Sequence, residues 1–155
     1  MAVTGLTTFL WFDDQALAAA DLYVATFGGE LLEVSTYPEG ARHPAGSVMT
    51  VAFRIFDHDL VALNGGPGFP HSEAVSFQVW CDDQSEIDRV WEALIAEGGA
   101  EGACGWCRDR FGVSWQVLPR ALPTLLAGAG DPGAGAHAYE RLMGMSKIVI
   151  RELAG

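Results

Sequence analysis

Basic residues are scarce in this chain: nine Lys and Arg stand against twenty Asp and Glu in 155 residues, a formal net charge of −11. A phosphate backbone is held by clustered Lys and Arg that displace its counterions, so nucleic acid is not an expected partner. The same deficit opposes adsorption to an anionic lipid surface. Cysteine is sparse as well. Three is an odd number and too few for a disulfide scaffold, which points to a reduced, cytoplasmic setting. Long apolar runs are missing: none approaches the roughly 18 residues of a spanning helix. The opening MAVTGLTTFL has no basic start, and Asp13 and Asp14 soon interrupt the apolar stretch, so no targeting segment is expected.

Core material, by contrast, is ample, since 50% of the residues are apolar. At this length the expectation is a single folded domain over 1–155, or two small modules sharing one core. Residues 4–12, rich in Thr and aromatics, predict a strand. A helix follows, with Asp13 or Asp14 as N-cap, a stripe of Leu17, Ala20, Tyr23, Val24 and Phe27, and Gly28-Gly29 as its stop. Strands are predicted at 30–37, 47–56 and 60–64, with a turn at 57–59. The Pro/Gly stretch 65–72 marks a boundary.

Beyond it the order recurs. A strand at 74–80 leads to a helix whose stripe is Ile87, Val90, Trp91 and Leu94, closed by Gly98-Gly99; strand broken by Gly follows at 100–110, then a strand at 113–119. The two helix starts give a topological repeat of about 65–70 residues, hence two βαβββ modules, at 1–66 and 72–120. A C-terminal extension, 121–155, lies outside the repeat. It is expected to hold a short helical turn at 122–126, an unordered Gly-rich stretch at 128–135, a helix bearing Tyr139, Leu142 and Met143, and a strand or arm at KIVIREL.

The strings TTFLWFDDQALAAADLYVATFGG, PAGSVMTVAFRI, LVALNGGP and CGWCRDRFGVSWQVLP followed by ALPTLL, together with the MSKIVI tail, resemble the PhnB-like proteins. These are often labelled demethylubiquinone methyltransferase-like, within the vicinal oxygen chelate (glyoxalase/bleomycin-resistance/dioxygenase) superfamily. The resemblance implies an α+β fold in which two βαβββ modules curl mixed sheets around a cleft, usually in a homodimer. In metal-using members of that superfamily, the first and last strands of each module supply His and carboxylate ligands. The matching positions here are Thr8, Asn64, Ala74 (with Glu73 and Val75 as neighbours) and Gln116. None is a His, Cys or carboxylate, and a divalent site needs anionic oxygens or imidazoles. No metal and no cofactor are expected.

Asn64 and Gln116 nonetheless stand in otherwise apolar strands, where an amide must find hydrogen bonds. By period-two alternation Ser114 shares a face with Gln116, Ser76 with Ala74, and Ala62 with Asn64. Such a face lining the cleft makes a neutral hydrogen-bonding floor; the alternative is that these groups bond only to backbone. Trp11 and Trp106 are placed to touch a ligand or a subunit interface, whereas Trp91 and Trp115 face the core.

Cys104-Gly105-Trp106-Cys107 spells C-x-x-C, yet a turn into a strand follows it, with no helix to lower a thiol pKa and no second ligand pair for zinc, which points to ordinary packing. The histidines, His43, His58, His71 and His137, fall in loops or the tail; His43 and His71 lie in loops that can overhang the cleft. GGPGFP lacks the Lys and the helix of a phosphate loop, and neither module has the strand, Gly-rich turn and helix of a nucleotide-type cofactor site, so the methyltransferase label finds no motif. The expected function is metal-free binding of a small, weakly polar molecule in the cleft, on Thr8, Asn64, Ser76, Ser114 and Gln116, with Trp11 and Trp106. An enzyme acting on a small metabolite, and a structural or regulatory dimer with a filled cleft, remain open alternatives. The tail is expected to help a homodimer form, or to cover an edge strand.

Overall fold

The first strand, β1 (Thr8–Phe12), is followed by α1 (Ala16–Phe27), β2 (Glu30–Thr36), β3 (Val48–Ile55) and β4 (His58–Asn64), in a four-stranded sheet of order β1-β4-β3-β2. The β1–β4 pair is parallel and the others antiparallel. A second set repeats it: β5 (Ser76–Cys81), α2 (Gln84–Ile95), β6 (Ala100–Glu101), β7 (Trp106–Arg108) and β8 (Ser114–Pro119), in the order β5-β8-β7-β6, with β5 and β8 parallel. The computed structural model describes residues 4–128 and 131–155. It separates the chain into two units, the first ending at Pro70 and the second beginning at His71, within the expected Pro/Gly stretch. The fold is α+β, two βαβββ units with added C-terminal helices.

In the first unit, Leu10, Phe12, Val51, Phe53, Leu60 and Ala62 are buried on the sheet face that receives α1. The helix covers it with Ala16, Ala19, Ala20, Tyr23 and Thr26, small residues that let it approach closely. That differs from the expected stripe: Leu17 is partly exposed, and Val24 and Phe27 are only half-buried. The start also differs. Gln15 is the N-cap position and gives no side-chain bond; neither Asp13 nor Asp14 caps the helix. The stop is as expected, with Gly28 in the left-handed region at φ 74°, where a side chain would be strained. Residues 4–7 lie outside β1, and β4 begins at His58, leaving Phe56-Asp57 as the hairpin turn.

In the second unit, Ile87, Val90, Trp91 and Leu94 of α2 are buried as the periodicity predicts. Asp83 caps the helix by accepting the Glu86 N–H at 2.9 Å, while the Glu86 carboxylate accepts the Asp82 N–H at 2.7 Å. Trp91 and Trp115 are fully buried. Each indole removes on the order of 200 Å² from water, roughly 5 kcal/mol of transfer free energy.

The extension packs onto this second unit. It forms α3 (Leu122–Leu126), α4 (Pro132–Met143) and α5 (Ile150–Ala154). Asp131 caps α4 and Pro132 begins it, so part of the stretch expected to lack order is helical; its residues 129 and 130 lie outside the described residues. KIVIREL is neither strand nor free arm. Residues 145–149 are a strap that accepts backbone bonds from Cys104 and Gly105, then enters α5. Ile148 and Leu153 are wholly buried, and Leu142 largely so, while Tyr139 and Met143 stay exposed.

Candidate functional site

The clearest polar site lies on the second sheet. Strand register sets Ser76 beside Ser114 and Gln78 beside Gln116, and sets Trp106 and Arg108 of β7 against Gln116 and Ser114. Alternation places these six on one face, opposite the face where Val79, Cys107, Trp115 and Val117 meet α2. Gln116 Nε2 donates to Ser76 Oγ at 2.9 Å, and Gln116 Oε1 accepts from Gln78 Nε2 at 3.1 Å. Ser114 is 2% exposed and its Oγ has no hydrogen-bond partner among the described residues. A buried hydroxyl left so costs about 1–3 kcal/mol. Next to this floor, sharing Trp106 and Arg108, is a pocket of about 190 Å³ that also takes in Glu73 and Glu101. Ser76, Ser114, Gln116 and Trp106 are thus brought together. Gln78 was missed, although the alternation that picked out Ser76 also reaches it. Ala74 lies ahead of β5, which begins at Ser76.

The first unit treats its candidates differently. Thr8 pairs with Leu60 and Asn64 with Phe12, four steps apart, so Thr8 and Asn64 do not meet. Ala62 and Asn64 share a face as expected, but it is the face covered by α1. Asn64 is buried; its Oδ1 accepts the Ala16 N–H at 2.7 Å and its Nδ2 donates to Val48 O at 3.1 Å. Its amide is spent on backbone, as a helix cap supplied from the end of β4, and the residue also lines the hollow that holds Asp13 and Asp14. Thr8 Oγ1 is bonded to His58 Nε2 at 2.9 Å.

Trp11 points to the opposite face. Its indole donates to Gly66 O at 2.8 Å, and Phe69 meets it edge-on at 5.0 Å and 87°. A Cβ on Gly65 would fall 2.2 Å from that ring, so only glycine lets the chain pass under it. Trp11, Arg42, His43 and Phe69 bound a pocket of about 380 Å³. His43 stacks on Tyr37 at 4.4 Å and 20°, and both rings line a second hollow of about 380 Å³ that takes in Asp13 and Asp14. Tyr37 donates its O–H to Asn64 O at 2.5 Å. Of the remaining histidines, His71 lies beside the Gly112 turn and His137 is exposed on α4.

The cysteines behave as packing residues. Burial first, then Asp109 and Glu101, pushes the Cys107 thiol up to about 12, and burial raises Cys81 to about 11. Cys104 is half-buried with its sulfur 3.4 Å from Met143 Sδ, and all three are free. Among the described residues no three His, Cys, Asp or Glu converge to hold a metal. Asp109 stands out in no residue pattern. It is 1% exposed, accepts the N–H groups of Phe111 and Val113 on Oδ1 and the Trp115 indole N–H on Oδ2, and so holds the turn before β8.

Two βαβββ units, each with a mixed four-stranded sheet, define the vicinal oxygen chelate class of fold. The family model described as 3-demethylubiquinone-9 3-methyltransferase matches residues 4–118, and the chain belongs to that family, the PhnB proteins included. Among solved structures it is similar to a putative 3-demethylubiquinone-9 3-methyltransferase, PhnB protein, from Bacillus cereus, with 29% identity, TM-score 0.67, and 74% of this chain and 99% of that one covered. A protein from Pseudomonas aeruginosa matches at 23% identity and TM-score 0.61, over 76% of this chain and 98% of that one. The fosfomycin resistance protein FosX of Listeria monocytogenes, complexed with Mn(II) and a dihydroxypropylphosphonic acid, shares the fold at 16% identity and TM-score 0.54, over 76% and 92%. No curated protein matches the chain.

Proposed function

We propose that this PhnB-family protein binds a small, uncharged polar molecule on the floor made by Ser76, Ser114 and Gln116, with Trp106 beside it, and does so without a metal. The observation that carries the reading is Ser114 Oγ, buried and unpartnered next to the Gln116–Ser76 hydrogen bond. A ligand oxygen or N–H placed there satisfies it, and the surrounding amides offer both donors and acceptors without net charge. The positions that match the superfamily's metal ligands offer no imidazole or carboxylate, so the Mn(II) of FosX has no counterpart donor set here.

The methyl transfer in the family's description is not carried over. A nucleotide-type cofactor sits on a Gly-rich turn at a helix N-terminus. Here α1 follows Asp13-Asp14-Gln15 and α2 follows Asp82-Asp83, both of which repel an anionic cofactor. The working form is a homodimer in the cytoplasm. Supporting the dimer, the edge strand β2 leaves Leu31, Leu32 and Val34 between 39% and 47% exposed. The tail packs against its own unit through Ile148 and Leu153 and leaves Tyr139 and Met143 exposed, and these two are its contribution to the dimer contact.

Native mass spectrometry of freshly purified protein tests the reading. The expected result is a dimer carrying a small-molecule mass and no metal, with that mass lost in Ser114→Ala. A stoichiometric metal, or ligand retention untouched by Ser114→Ala, overturns it.

A further inference from the structure

We propose a second ligand site, contained within the first unit, in which Trp11, His43 and Phe69 hold a planar aromatic ring and Arg42 binds a carboxylate on it. Its residues all belong to the first unit, and the inference does not rest on the Ser114 reading. The walls are fixed before any ligand arrives. Trp11 is pinned by its bond to Gly66 O, by the close passage of Gly65 and by the edge of Phe69. His43 is held flat against Tyr37, whose hydroxyl is tied to the end of β4. Rings immobilised by protein contacts lose little entropy on binding. The space, about 380 Å³, falls in the range of small-molecule sites.

Charge selects the substituent. Arg42 forms no ion pair among the described residues and is the one charged group lining this hollow. Its planar guanidinium matches a carboxylate with two parallel hydrogen bonds and can also stack on a ring. The backbone N–H groups of Gly65, Gly66 and Gly68 already bond to Phe12 O, Asp13 O and Gly66 O, so they offer an anion nothing further. The carboxylates Asp13 and Asp14 line the other hollow and not this one, although His43 borders both. An organic cation therefore belongs on that side and an aromatic anion on this one.

The probes are 2-naphthoate, 2-naphthylmethylamine and 2-naphthol, titrated by nuclear magnetic resonance while the Trp11 indole N–H, assigned through Trp11→Phe, is followed. The expected result is that naphthoate shifts this resonance and binds at least tenfold more tightly than the amine, with naphthol between. Arg42→Gln should erase the preference, and Phe69→Ala should weaken all three probes; both residues are exposed, and an unchanged circular dichroism spectrum checks the fold. Ser114→Ala should leave naphthoate binding as it was. Preference for the amine, preference that survives Arg42→Gln, no response of the Trp11 resonance, or loss of naphthoate binding in Ser114→Ala each overturns the proposal.

Discussion

Asn64 Oδ1 accepts the N–H of Ala16 at 2.7 Å, so the last residue of β4 caps a helix 48 positions earlier in the chain. The cap is tertiary: α1 has no side-chain partner at its own N-cap position, and β4 must be in register before the helix end is satisfied. Asn64→Ala removes this acceptor and the bond to Val48 O together. A loss of about 2 kcal/mol is expected, seen as a drop of several degrees in Tm by calorimetry. An unchanged Tm would mean that water replaces the amide.

Ser114→Ala should act in the opposite direction on the unliganded protein. Deleting a buried hydroxyl with no partner removes its desolvation cost, so stability rises by about 1 kcal/mol while ligand retention falls. Chemical denaturation of the ligand-stripped protein measures the first part. Destabilisation there would show that the hydroxyl is satisfied in solution.

Asp109→Ala leaves two backbone N–H groups and the Trp115 indole without an acceptor in a buried turn. About 3 kcal/mol of stability should be lost. Asp109→Asn keeps one oxygen for the backbone pair and should cost less, mostly through Trp115, whose fluorescence then shifts.

The thiols give a pH signature. Cys81 and Cys107 titrate at about 11 and 12 in the folded chain against 9.0 ordinarily, so their burial stabilises the fold below about pH 9. As pH rises past that value, unfolded chains lose these protons first and the stabilisation drains away toward pH 11–12. Tm should fall across that window, less steeply in Cys81→Ala/Cys107→Ala. Native labelling with a thiol reagent at pH 8 should modify Cys104 alone.

Gln84 clamps the C-terminal strap, donating to Ile148 O at 3.0 Å and accepting the Ile150 N–H at 2.8 Å. Gln84→Ala should cost about 1–2 kcal/mol. Removal of residues after Gly144 takes away Ile148 and Leu153 and should yield aggregate in light scattering. Soluble protein of unchanged Tm would show the strap to be dispensable.

Much of this molecule is local in origin. Periodicity in Ile87, Val90, Trp91 and Leu94, the glycine ending α1, the Pro/Gly break at 65–72 and strand alternation around Gln116 need only neighbouring residues, and they determined both βαβββ units and the shared face of Ser114 and Gln116. What tertiary structure decided involves partners far apart in sequence. Thr8 and Asn64 look equivalent to Ala74 and Gln116 by position, yet alternation cannot say which face a helix will cover. In the first unit the small residues of α1 cover the face that holds Asn64, and turn its amide into a cap. The hollow between Trp11 and His43 depends on a loop reaching back over 30 residues to meet β1. The unpaired hydroxyl of Ser114 is a property of its packed surroundings. No local pattern encodes either, because each exists only once distant backbone has closed around it.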